Sequence, residues 1–337
     1  MNLRVAVDAM GGDFAPANVV EGAVAAAREP AVAQLLVGPR DEIARELARY
    51  PDAASLDLAI ADAPDVVTMD DPATRVLRGK RGASIRVAAE AVACGRAAAV
   101  FSAGHTGASV VAALAAFGLL PGVDRPALAA TIPTLAGAAI LIDAGASVEC
   151  RPHQLVQFAV LGAAYARTAL GLTAPRVALL SIGEEESKGN ELTRDAHQLL
   201  KSTALNFLGN IEARDVYTGQ ADVIVCDGFT GNVALKVSEG MVEAVEQLLR
   251  EELERSVSTR IGALLWRPAF RRFRQRLDYA EYGAAPLLGL HGVCLVGHGR
   301  SSARAVRNGI LLAHRLASEE LAVRVARDVA TSPVPGV

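Results

Sequence analysis

Two short runs carry side chains whose types and spacing suit the handling of an oxyanion. SKGNE places Lys188 beside Gly189 and Asn190. CDGFTGNVALK places Asn232 and Lys236 behind Asp227, Gly228, Thr230 and Gly231. A third run, FSAGHTGAS, sets His105 and Thr106 between Gly104 and Gly107, just after Ser102. DAMGGDFAP follows Asp8 with Gly11 and Gly12, and GHGRSSA carries His298. Glycine loops present backbone N–H groups. Together with Ser, Thr, Asn, His and Lys side chains they bind an anion such as phosphate and stabilise a second, developing oxyanion. Lysine occurs only at 80, 188, 201 and 236 among 34 cationic residues, and three of the four fall in or just behind such loops. A compact ammonium suits one phosphate oxygen or a leaving group. Lys80 and Lys236 also fit as solvated surface charges. A helix entry disfavours imidazolium, so His105 reads as a neutral hydrogen-bonding group or a purely structural one. Cys226 lies inside an apolar run and reads as packing rather than as a nucleophile.

Each of these runs falls where a strand pattern gives way to a helix pattern. In Ala221–Lys236, Val223–Cys226 form a buried strand. Thr230 is expected to cap a helix beginning at Asn232, whose free N–H groups would make an anion site. Further strands are expected at Leu3–Asp8, Leu35–Gly38, Asp57–Ala61, Ala98–Ser102, Ala138–Asp143, Arg176–Ser181 and Val293–Val296, alternating with helices. That alternation predicts an α/β fold with a mostly parallel sheet, helices on both faces and ligands at the strands' carboxyl ends. Residues 62–82 read as a polar loop. Phe101–Val123 is uncharged, but its glycines and Pro121 confine the helical part, which suits a core helix better than a membrane span. Neither a dinucleotide fingerprint, a Walker loop nor HExxH occurs, so no cofactor and no metal is called for. Four separated cysteines without CxxC fit a reducing cytosol, and a net charge of -3 gives no basic excess for nucleic acid.

DAMGGDFAP, RGASIRVAAEAV, SAGHTGAS, LIDAGASVECRPHQLVQFAVLGAAYA, IGEEESKGNELT, CDGFTGNVALK and DYAEYGAAPLLGL occur in this order between about Leu3 and Ser318. Together they resemble the phosphate acyltransferases of bacterial phospholipid synthesis, the PlsX family. The resemblance implies a three-layer α/β/α fold of the isocitrate dehydrogenase and phosphotransacetylase kind, and a homodimer. It implies acyl transfer from acyl-carrier protein to inorganic phosphate, the acyl phosphate then being consumed by a membrane glycerol-3-phosphate acyltransferase. The family's active-site lysine and asparagine fall on Lys188 and Asn232. His105 stands where the family's loop more often has asparagine, so a donor is kept there. Asp8, Gly11, Gly12, Ser102, Gly104, Thr106, Gly107, Gly189, Asn190, Asp227, Gly228, Thr230, Gly231, Lys236 and His298 are the expected substrate- or phosphate-binding positions. The rival readings are a coenzyme A-dependent phosphotransacetylase, a metal-dependent dehydrogenase of the related fold and a non-catalytic phospho-ligand scaffold.

One catalytic domain is expected over residues 1–330, with a helical hairpin at about 240–280 and a flexible tail at 331–337. Arg255–Leu277 holds seven arginines, no acid and the chain's only tryptophan, Trp266. Leu264, Leu265, Trp266, Arg267 and Arg271 are expected to meet a membrane interface, a second subunit or the acidic carrier protein. The expected location is cytoplasmic, with peripheral attachment to the inner face of the cell membrane.

Overall fold

The computed structural model describes residues 3–29, 32–68, 70–255 and 283–331. The Arg-rich run expected to meet a membrane, Leu264, Leu265, Trp266, Arg267 and Arg271 included, lies outside the described residues.

Eleven strands form one sheet in the order β3-β2-β1-β4-β11-β10-β5-β6-β9-β7-β8. The first half holds β1 (Val5–Asp8), β2 (Gln34–Gly38), β3 (Leu58–Asp62), β4 (Ala99–Ser102) and β11 (Val293–Val296), all mutually parallel. The short apolar runs of β1, β2, β4 and β11 are covered on both faces, as buried parallel strands require, and β3 is the half-buried edge. The chain winds outward from β1 to β3, then returns to β4 on β1's other side. The carboxyl ends of β1 and β4 therefore flank a topological switch point, where open α/β sheets bind ligands.

Three strands were not legible in the sequence. β5 (Ala127–Thr134) and β10 (Ala285–Leu288) are antiparallel to their neighbours, and β8 (Asn206–Ile211) forms the far edge. β10 runs against β11, β5 against β10, and β6 (Gly137–Ile142) against β5. The second half, β6, β9 (Val223–Val225), β7 (Arg176–Leu180) and β8, therefore runs opposite to the first. Helices pack on both faces. The largest buried cluster gathers Phe101, Leu155, Phe158 and Tyr165 on one face, and two smaller clusters lie on the other.

The helices that leave the loop-bearing strand ends are α1 (Ala17–Ala27), α5 (Thr106–Phe117), α6 (Pro152–Leu170), α7 (Glu191–Lys201), α8 (Gly228–Glu254) and α9 (Ala303–Ser318), while α2 (Arg40–Leu47), α3 (Arg75–Arg78) and α4 (Ser84–Ala93) lie between α1 and α5 in the chain. The uncharged stretch 101–123 resolves into β4 and the 12-residue α5. Among the described residues no helix is long and apolar enough to cross a membrane.

Candidate active site

The glycine loops fall into two groups, one at the carboxyl ends of β1, β4 and β11, the other at those of β6, β7 and β9. In the first group Asp8 and Ser102 are buried and bonded to each other. Ser102 Oγ donates to Asp8 Oδ2 at 2.6 Å and accepts the Gly104 N–H at 3.1 Å. Burial pushes the Asp8 carboxyl up, against hydrogen bonds from Ser102, Ser84 and the Met10 N–H. A Cβ on Gly11 would lie 2.8 Å from both Asp8 Oδ2 and Gly104 N, so only glycine lets the loops cross here. These two expected ligand-binding residues thus spend their polar atoms on holding the loops together.

His105 is the N-cap of α5, its Nδ1 accepting the Ala108 N–H at 3.2 Å. A neutral ring then carries its proton on Nε2, and the expected hydrogen-bond donor is retained. Thr106 and Gly107 form the helix's first turn, with Gly107 close under the His105 ring.

The second group is organised by a residue the sequence reading took only as the end of a strand. Asp143 is fully buried where β6 ends. Its Oδ1 accepts N–H groups from Leu128, Gly145 and Ala146, and its Oδ2 accepts that of Ser147 at 2.6 Å. Burial pushes its carboxyl up to about 6 against these four donors. The signal available was LIDAGAS, an acid at a strand end followed by small residues whose N–H groups can fold back onto it.

The entry to α8 differs from expectation. The helix begins at Gly228, not Asn232, and Asp227 rather than Thr230 is its cap. Asp227 accepts the Thr230 N–H at 2.9 Å and the Thr230 hydroxyl at 2.7 Å. The Gly228 N–H donates to Ser147 O at 2.8 Å. A carboxylate is a stronger acceptor than a hydroxyl at a helix start and complements the dipole. The result is that this entry is no open anion site. Gly228 and Gly231 pack against Ser147 O and Asp143 O with no room for a Cβ.

Asn232 sits one turn into α8, exposed, with its Nδ2 2.6 Å from where a Cβ on Gly145 would be. Lys188 is exposed in the loop after β7, its stem lying over Gly183. Asn190 caps α7, accepting the Thr193 N–H at 2.9 Å, and Gly189 has φ 102°. Among the described residues no hydrogen bond or ion pair joins Lys188 to Asn232 or His105. Lys236 leaves the third turn of α8 and reaches across to the first group, its Nζ 2.6 Å from His298 Nε2 and 2.8 Å from Glu239 Oε2. Helix α8 therefore ties the two loop groups together.

Lys80 proves structural: its Nζ donates to Asp71 at 2.6 Å and to the Val66 carbonyl, pinning the 66–80 loop. Burial pushes the Cys226 thiol well above its usual range and that of Cys150 up to about 11. Neither is a ready thiolate. Among the described residues no group of three or more His, Cys, Asp or Glu side chains is placed to hold a metal ion.

A family model described as "Fatty acid synthesis protein" matches residues 3–324. The chain is 49% identical over 324 residues to a phosphate acyltransferase of Geotalea uraniireducens, covering 96% of this chain and 93% of that protein. It is 47% identical over 329 residues to one of Geobacter sulfurreducens, covering 98% and 95%. Among solved structures, a phosphotransacetylase from Streptococcus pyogenes aligns with TM-score 0.64 at 17% identity, and EutD phosphotransacetylase from Staphylococcus aureus with 0.58 at 15%. Each alignment covers 94% of both chains. At such low identity the structural likeness bears on the fold alone.

Proposed function

The chain belongs to the phosphate acyltransferase family, and on that footing we propose a direct transfer of the acyl group to phosphate from an acyl-carrier-protein thioester. The product is an acyl phosphate that serves fatty acid and phospholipid synthesis.

The observation that carries the mechanism is the make-up of the loops: the Asn232 amide and the His105 ring offer neutral donors, and the nearby thiols, Cys226 buried and Cys150 partly so, are held well above their usual range. Phosphate, partly dianionic near neutral pH, then acts as the nucleophile itself. One phosphate oxygen forms the new C–O bond to the thioester carbon. The tetrahedral oxyanion collapses, the C–S bond breaks, and the thiolate leaves. The protein's part is to align the reactants and stabilise the oxyanion. Lys188, just before the Asn190-capped entry of α7, is assigned to the phosphate or the departing thiolate. The Asn232 amide is assigned to the oxyanion, and His105 Nε2–H is a second neutral donor.

Val148 and Ile182, in loops of the second group, and Phe229, in the first turn of α8, are 59%, 80% and 62% exposed, and they offer an apolar rim for a fatty chain. Further along α8, Val237, Met241, Val245 and Leu248 recur at helical spacing and are also exposed. This stripe supports a homodimer. The basic, tryptophan-bearing run 255–277 supports peripheral membrane contact near a membrane acyltransferase that consumes the product.

The test is a donor comparison. Purified protein, phosphate and either acyl-carrier-protein or coenzyme A thioesters of one fatty acid are incubated, and acyl phosphate is trapped with hydroxylamine. Trapped product from the carrier protein but not from coenzyme A is expected. Preference for coenzyme A would overturn the donor assignment, and phosphate binding without turnover would overturn the enzyme mechanism.

A further inference from the structure

Glu239 Oε2 lies 2.8 Å from Lys236 Nζ and 3.3 Å from His298 Nε2, and the two nitrogens are 2.6 Å apart. The other ring nitrogen of His298 accepts the Arg300 N–H at 3.1 Å. The neutral ring therefore carries its proton on Nε2. Two donors from different elements, α8 and the loop after β11, converge on one carboxylate oxygen. Donors cannot satisfy each other, so what this geometry calls for is an oxygen acceptor bearing negative charge. Burial alone would raise the Glu239 carboxyl, but hydrogen bonds from His298 and Lys236 outweigh it and hold it below its usual range.

A second observation comes from the same loop. Ser301 is only 4% exposed, and its hydroxyl has no hydrogen-bond partner. A buried hydroxyl is normally satisfied. The next residue, Ser302, caps the 16-residue α9 with a neutral side chain, in contrast to the carboxylate that caps α8. The positive end of α9 thus opens from this loop uncompensated by an acid at its cap. Lys236 is half exposed and His298 a quarter exposed, so the cluster is reachable from solvent.

We propose that Lys236 and His298 form a phosphate-group subsite one turn along α8 from Asn232, in the turn that buries Ser301, in which Glu239 is an internal stand-in that the bound phosphate displaces. The inference rests on the reading that the substrates are phosphate and a thioester. The phosphate group comes from one of two sources: inorganic phosphate, or the phosphate of the donor's pantetheine arm.

Direct binding tests it without turnover. Wild type, Lys236→Gln and Glu239→Gln are titrated calorimetrically with inorganic phosphate, 4′-phosphopantetheine and pantetheine. Lys236→Gln should weaken a phosphate-bearing probe by about tenfold or more, the scale of losing one hydrogen bond to a charged group. Glu239→Gln should tighten the same probe at least about threefold by removing the competing carboxylate, which a misfolded variant cannot do. A response confined to phosphopantetheine identifies the donor arm as the source, and a response to inorganic phosphate identifies the acceptor. Equal affinities across the three proteins, weakening in both variants, or no binding of either phosphate-bearing probe to wild type would overturn the subsite. Failure of the acyl-transfer reading shows separately, as absence of hydroxylamine-trapped product.

Discussion

Gly145 offers a sharp perturbation of the assigned oxyanion donor. A methyl there would stand 2.6 Å from Asn232 Nδ2, whereas ordinary contact begins at 3.4 Å, so the amide must retreat by roughly 0.8 Å. Displacements of about 1 Å cost about 10²-fold in rate when the displaced group positions the reaction. Gly145→Ala should therefore lower kcat by roughly 10²-fold. Its φ of 133° also strains any side-chain-bearing residue, by about 1–3 kcal/mol. Gly137→Ala separates the two effects. Gly137 has φ 137° but nothing within 4 Å of its added methyl, so it carries the strain without the collision. Both variants should lose a few degrees of Tm by differential scanning fluorimetry, and only Gly145→Ala should lose turnover in the hydroxylamine assay. A Gly145→Ala enzyme with kcat within threefold of wild type, or two variants equally impaired, would refute the placement of Asn232 at the reacting carbonyl.

Lys188→Ala and Asn232→Ala should each cut turnover by at least about 10²-fold, the scale of one electrostatic catalytic group, with unchanged far-UV circular dichroism; near-normal rates in both put the chemistry in other loops. Asp143 supplies a pH test. Its carboxyl ionises at about 6 in the fold against an ordinary 3.8. A raised folded value means that its stabilising share is fully present below about 3.8 and is lost as pH climbs through about 6, about 3 kcal/mol in all. Thermal melts should show the stability margin of wild type over Asp143→Asn shrinking from pH 4.5 to 7.5, and a margin that widens instead contradicts the assignment. For the basic run, Leu265→Glu or Trp266→Glu should weaken salt-sensitive sedimentation with anionic liposomes while activity on soluble donor persists. Unchanged sedimentation removes the membrane role, and a shift to monomer in light scattering points to the dimer instead.

What could be read ahead of the structure follows from the range of the interactions involved. β1 and β9 were legible because both faces are covered, so their apolar runs are unbroken and end at an acid. β10 carries Pro286, and β8, NFLGNI, has only Phe207, Leu208 and Ile211 apolar with Gly209 and Asn210 breaking the run, so neither has a pattern that local reading registers. The reversal of the second half depends on pairings of β5 with β6 and β10, partners that the sequence pattern does not announce. At the candidate site, the Lys188 loop was legible as a glycine-bearing turn. The start of α8 was misread because DGFTGN looks like a loop. Its glycines are instead demanded by the approach of the Asp143 loop, which lies 83 residues away at the Cys226–Asp143 contact. The part that Asp8 and Ser102 play in holding the loops together was hidden for a similar reason, since only their mutual hydrogen bond shows it.

The electrostatics of the helix starts make a final argument about where each reactant belongs. The entry of α8 is capped by Asp227, with the Asp143 carboxylate immediately behind Gly228. α5, α7 and α9 are capped by His105, Asn190 and Ser302, none of them acidic. A phosphate dianion placed at the start of α8 would meet one or two carboxylates at close range, while the dipole it would gain is already answered. The same phosphate at the start of α7 meets a neutral cap and the nearby Lys188, which offsets the single carboxylate of Glu191 in that helix's first turn. The thioester carbonyl is uncharged in the ground state and needs stabilisation only as the tetrahedral oxyanion forms, so a neutral amide one turn beyond the acidic cap suits it. On the proposed mechanism this pattern keeps phosphate away from Asn232 until it approaches along the line of attack, and it reserves the amide for the charge that develops during the reaction.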